Sequence, residues 1–99
     1  MMYKRTESKD LNRYAIYEIT DDSMAPQIQE GDEVQIDTQA ENNNGDYVVA
    51  IIEDGSTVLR KMNKHDEDYI FTATNAAYEP ILCSSPTIVG KAIRVYRKV

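Results

Sequence analysis

"ITDDSMAPQIQEGDEVQID", residues 19–37, sets a serine in a tight polar turn (Asp21, Asp22, Ser23), follows it with Met24 and Pro26, and opens a β-rich run after Gly31-Asp32. Asp side chains hydrogen-bond nearby backbone N–H groups, so Asp21 and Asp22 suit a turn that presents Ser23. Ser23 is then either a nucleophile or a capping residue in an acidic loop. A second stretch bears on the choice: "TVLRKM", residues 57–62, puts Arg60 and Lys61 side by side in an apolar run.

Around these two stretches the hydrophobic period is 2 rather than 3.6. "YAIYEI" (14–19) is rich in β-formers, and "EVQID" (33–37) alternates Val34 and Ile36 with polar residues. "DYVVAIIE" (46–53) is nearly all apolar, as expected of a strand buried on both faces. Its "EDGS" ending (53–56) suits a hairpin turn, which makes 57–62 the returning strand. "YIFTAT" (69–74) and "TIVGKAIRVYRKV" (87–99) complete the set. Loops are expected at 39–45, 63–68 and 75–86, and a short helical turn over Met24–Gln29, with Pro26 near its start where proline is tolerated. The expectation is a mostly β, antiparallel, partly barrel-like domain over residues 13–99, preceded by a linker or N-terminal arm over 1–12.

Ninety-nine residues allow one domain with one modest core. No run approaches the roughly 18 apolar residues of a membrane span, and the N-terminus has no apolar stretch of a signal peptide; a cytoplasmic protein is expected. The net charge of −6, with 17 acidic against 11 basic residues, argues against this domain holding nucleic acid, which needs clustered Lys and Arg. Cys83 and His65 are each the only one of their kind. Neither a disulfide nor a metal site is expected, and no cofactor. The tyrosines are spread along the strands rather than gathered as a stacking platform.

In order along the chain, "DDSMAPQIQEGDEVQID", "NGDYVVAII", "STVLRKM", "TNAAYEPI" and "TIVGKAIRVYR" resemble five elements of the LexA-like (S24) self-cleaving repressor family, over about residues 14–98. These are its nucleophile segment, a Gly-Asp-hydrophobic strand, the lysine-bearing strand, an Asn-Pro-x-Tyr-x-Pro-Ile element and the closing strand. The resemblance implies a LexA/signal-peptidase-like antiparallel β fold. It also implies the roles of the family, which includes LexA, phage repressors and UmuD-type mutagenesis proteins of the SOS response. Their C-terminal domain dimerises and cuts its own chain at an Ala-Gly or Cys-Gly bond when a RecA filament forms. Operator DNA is held by a preceding helix-turn-helix domain.

The chain departs from that pattern in three ways. None of its 99 residues forms an Ala-Gly or Cys-Gly pair, and no helix-turn-helix is legible; both fit the C-terminal part of a longer repressor. Third, the family's general base is a lysine that opens a Lys-Lys/Arg-Leu triplet, and here the triplet reads Arg60-Lys61-Met62. A serine hydroxyl needs a neighbour that takes its proton, which a lysine does once burial makes it neutral. Arginine stays protonated. Lys61 is adjacent, and neighbouring strand residues point to opposite faces, so a β-bulge is needed to bring it round.

The resemblance therefore assigns Ser23 the nucleophile position, Arg60 the general-base position and Lys61 an alternative base. The backbone N–H groups of Ser23 and Met24 are oxyanion candidates. Replacing Arg60 by lysine is expected to restore a titratable base. Ile93, Val95 and Val99 form an alternating apolar face on the last strand, opposite Arg94, Tyr96 and Lys98, and are the expected homodimer interface. Three functions stay open. The first is the dimerisation and regulatory domain of a LexA-like or phage-type repressor with impaired self-cleavage. The second is an active serine peptidase with a Ser23–Lys61 dyad, and the third an UmuD'-like subunit. Whether the chain is an enzyme rests on the base.

Overall fold

A computed structural model describes residues 2–7 and 13–97, with side chains from residue 13 onward. Every regular element described is a strand: β1 (Met2–Glu7), β2 (Tyr14–Ile19), β3 (Glu33–Asp37), β4 (Tyr47–Ile51), β5 (Thr57–His65), β6 (Asp68–Thr72), β7 (Ile81–Cys83) and β8 (Thr87–Tyr96). They form one sheet in the order β1-β2-β3-β8-β4-β5-β6-β7, and all its pairings are antiparallel. β1 also lies near β5, so the sheet curls on itself.

β4 shows why one sheet suffices. Val49 faces a cluster of Ala15, Ile19, Met24, Ile28, Val34, Ile36, Leu59 and Ala73. Its neighbours Val48 and Ala50 face the other way, onto Met62, Phe71 and Cys83. The apolar run is thus buried on both faces over Val48, Val49 and Ala50, as its composition implies, while Tyr47 is half-buried and Ile51 exposed. The hairpin to β5 turns at Gly55, whose φ of 87° is one that glycine adopts without strain. Another glycine is held by sterics: a Cβ on Gly90 of β8 would lie 2.8 Å from the Asp37 carbonyl oxygen.

Several local expectations differ from what is observed. No helical turn exists at Met24–Gln29. The Ile28 N–H does donate to the Met24 carbonyl (2.9 Å), but the next N–H, of Gln29, donates to the Asp32 carboxylate (2.8 Å). The helical pattern therefore stops after one bond. The loop expected at 63–68 is mostly strand. β5 runs to His65 and returns at Asp68, with Asp66 at φ 55° in the turn. The loop expected at 75–86 contains the short edge strand β7. Residues 2–7, within the expected linker or arm, pair with β2.

The last strand is also placed differently from a simple edge. β8 lies between β3 and β4, and the sheet edges are β1 and β7. Beyond Lys91, however, it pairs with β3 alone. A bulge at Ile93 puts Ala92 opposite Ile36 and Arg94 opposite Gln35, which breaks the strict alternation expected there. Ile93, Val95 and Tyr96 are all exposed. Val99 and Lys98 lie outside the described residues.

Candidate functional site

The turn after β2 is built by its own acidic residues. The Asp21 carboxylate accepts from the Ser23 backbone N–H (3.0 Å), and the Ala25 N–H donates to the Asp22 carbonyl (3.1 Å). The loop closes at its base, where Ile19 N–H donates to the Asp32 carbonyl (2.9 Å) and Gly31 N–H to that of Ile19 (2.8 Å). Met24 points into the core, 1% exposed. A buried methionine next to a buried serine fixes which way the turn faces.

β5 supplies the other side of the site. Arg60 Nη1 donates to Ser23 Oγ at 2.8 Å and to the Leu59 carbonyl at 2.9 Å. The Ser23 hydroxyl in turn donates to Asp21 Oδ1 at 2.7 Å. Ser23 is 2% exposed and Arg60 6%. The crevice between them, lined also by Ile19, Val58 and Leu59, is too tight to admit a water molecule. Arg60 Nε is buried without a hydrogen-bond partner among the described residues, a cost that leaves the guanidinium only partly satisfied.

Lys61 is elsewhere. The β5 register runs unshifted against β4 from Thr57 to Lys61 and against β6 from Lys61 to His65. The bulge needed to turn Lys61 toward Ser23 is absent, and the residue is exposed. Of the two oxyanion candidates, the Ser23 N–H is already committed to Asp21. Asp21, read from sequence only as a turn former, is thus a direct partner of the hydroxyl.

The 75–78 segment, which sequence reasoning treated as a loop, holds the turn from outside. Asn75 N–H donates to the Ser23 carbonyl (2.9 Å), and Asn75 Nδ2 to the Asp22 carbonyl (3.1 Å). The Tyr78 hydroxyl donates to Asp22 Oδ1 (2.7 Å), and its ring centroid lies 5.6 Å from the Arg60 guanidinium carbon, within cation–π range. The family-like Asn-x-x-Tyr spacing was the available signal. What it could not give was the partner, more than 50 residues away in sequence.

Burial pushes the Arg60 guanidinium below its ordinary value, while Asp21 and Tyr78 pull it back up. It stays a cation, since an arginine has a wide margin to lose before neutrality. For Asp21, burial works upward, and the hydrogen bonds from Ser23 are among the interactions that bring the net shift down. The hydroxyl therefore lies between a donor with no lone pair to offer and a carboxylate of weakened basicity. The arrangement holds the Ser23 hydroxyl between Arg60 and Asp21.

A serine hydroxyl presented by a turn to a basic side chain on a neighbouring strand has the layout of a serine-peptidase site on an all-β scaffold. The chain belongs to the Peptidase S24-like family, whose model matches residues 1–93. It is similar to the LexA repressor of Thermobifida fusca (strain YX), 39% identical over 82 residues, which cover 82% of this chain and 32% of that protein. To the LexA repressor of Geobacillus kaustophilus (strain HTA426) it is 40% identical over 81 residues, 81% of this chain and 39% of the relative. With that of Geobacillus sp. (strain WCH70) it shares 31% over 96 residues, 97% of this chain and 46% of the relative. The chain thus spans less than half the length of these repressors.

Proposed function

We propose that this is the C-terminal regulatory and dimerisation domain of a LexA-like or phage-type transcriptional repressor whose self-cleavage is impaired. In this reading operator DNA is held by a separate helix-turn-helix domain, the setting is the cytoplasm, and a RecA filament is the inducing partner where induction survives. The observation that carries the reading is the 2.8 Å bond from Arg60 Nη1 to Ser23 Oγ. The place next to the hydroxyl, where a general base would stand, is taken by a group that cannot accept a proton.

The test is self-cleavage of the domain fused behind a linker that contains an Ala-Gly bond. Alkaline incubation should leave the fusion intact, because no pH that the fold survives neutralises arginine, and Lys61→Ala should change nothing. A fusion that cuts itself and loses cutting on Lys61→Ala would overturn the reading in favour of a Ser23–Lys61 dyad. The dimer is supported by the exposed Ile93, Val95 and Tyr96 (45%, 41% and 41% exposed) on a stretch of β8 paired on one side only. Val95→Asp should then shift a sedimenting dimer to monomer. A wild-type domain that stays monomeric at high micromolar concentration would remove the assembly claim.

A further inference from the structure

The site contains a second charged partner that the reading above does not use. Ser23 Oγ lies 2.7 Å from Asp21 Oδ1 and 2.8 Å from Arg60 Nη1. By geometry the carboxylate oxygen and the guanidinium nitrogen are no more than about 5.5 Å apart, a distance at which opposite charges reinforce each other's ionisation. We propose that Asp21 is a second lock on the Ser23 position: it holds the hydroxyl proton and keeps any basic side chain at position 60 charged. Restoring a lysine on β5 would then not by itself create a working base. The proposal rests on the reading of Arg60 as the occupant of the general-base position.

The argument follows from what surrounds the head group. Burial favours the neutral form of a lysine amine, and an adjacent carboxylate favours the charged form. At Arg60 both influences are visible: burial lowers the guanidinium, while Asp21 first and then Tyr78 raise it. Tyr78 is itself tied to Asp22, so the acidic turn faces position 60 directly through Asp21 and indirectly through Tyr78. The aliphatic neighbours in the crevice, Ile19, Val58 and Leu59, add desolvation only. Of these groups, Asp21 alone combines a full negative charge with a bond to the reacting hydroxyl, so its removal changes both the amine and the serine.

The experiment compares Arg60→Lys with Arg60→Lys/Asp21→Asn, each confirmed folded by thermal melting. Asparagine keeps the acceptor for the Ser23 N–H and removes the charge. The introduced amine, followed by heteronuclear NMR with isotope-labelled lysine, should titrate about one pH unit or more lower in the double variant. Ser23 should then react about tenfold faster at pH 8 with an aryl sulfonyl fluoride, detected by mass spectrometry. If Asp21→Asn prevents folding, Arg60→Lys/Asp21→Ser carries the same comparison. Equal midpoints in the single and double variants would overturn the Asp21 lock and leave the Arg60 reading standing. Labelling of the wild-type domain at the rate of the double variant would instead overturn the Arg60 reading.

Discussion

Two kinds of arginine–carboxylate contact occur in this molecule, and they differ in what the surrounding packing has done to them. At the rim, Arg97 makes a forked contact with Asp32 through Nε (3.0 Å) and Nη2 (3.0 Å), and Arg13 does the same to Asp37. These arginines have half their side chains in water, 51% and 45% exposed, while their carboxylates are buried. In the interior, Arg60 has no fork. One nitrogen reaches Asp21 through a serine hydroxyl, and another has no partner among the described residues. The rim pairs have good geometry and weak fields, because water screens them. The interior contact has poorer geometry and a strong field, because little screens it. A stability role fits the first kind. The second is costly to keep and costly to break, the pattern expected where a side chain occupies a site shaped for another purpose.

The largest effect should come from truncating the interior arginine. Arg60→Ala removes a buried cation and leaves Asp21 and the Ser23 hydroxyl facing a cavity beside Leu59 and Met24. The expected loss is about 3 kcal/mol in urea unfolding. Arg60→Met combined with Asp21→Asn should recover part of it, since both charges leave together. A loss near that of an exposed ion pair, below about 1 kcal/mol, would erase the contrast with the rim.

How much of this was legible in the sequence depends on the range of the interaction. The 47–51 and 57–62 strands and the Gly55 turn between them follow from local pattern, and so does the opposition of Arg60 and Lys61 across β5. β7 was missed because three residues, Ile81–Cys83, are too few to show a period. The end of β5 was missed because Asn63, Lys64 and His65 are polar, which marks a solvated hairpin arm as readily as a loop. Met24–Gln29 failed for a different reason: a helix former's pattern lost its N–H to an acid three residues away, Asp32. At the site, the Ser23–Arg60 neighbourhood was legible through resemblance. The bond from Ser23 to Asp21 and the clamp by Asn75 and Tyr78 depend on side-chain direction and long-range placement, which periodicity does not encode.

Among the rim residues Asp32 should matter most, because its carboxylate has two duties. It accepts from Arg97 and also from the Gln29 N–H (2.8 Å), which ends the turn that carries Met24 and Ile28 into the core. Asp32→Ala leaves that backbone donor without its partner at a part-buried position and should cost about 1 kcal/mol. Arg97→Ala, which removes the screened partner and an exposed bond to the Gln27 carbonyl, should cost visibly less in the same unfolding assay. Equal losses would mean that the ion pair, not the backbone bond, is what Asp32 contributes.

The smallest effect is the pH dependence of the rim pairs. The hydrogen bond from Arg97 holds the Asp32 carboxyl below its ordinary value of 3.8, against a smaller opposing push from burial, and the bond from Arg13 does the same for Asp37. A carboxyl whose value is lower in the folded chain binds fewer protons there than in the unfolded chain, so folding is favoured at higher pH. This contribution is fully present above the unfolded value, from about pH 5 upward, and is lost as pH falls below about 4 through the folded values. Melting temperature should therefore show no loss from these pairs between pH 7 and 5, and a decline below about pH 4. The difference between wild type and Asp32→Asn should shrink over the same acid range, since a protonated Asp32 and an asparagine are alike in charge. A difference that stays constant down to pH 2.5 would show that the Asp32 charge adds nothing, and that rim and interior differ in hydrogen bonding rather than in electrostatics.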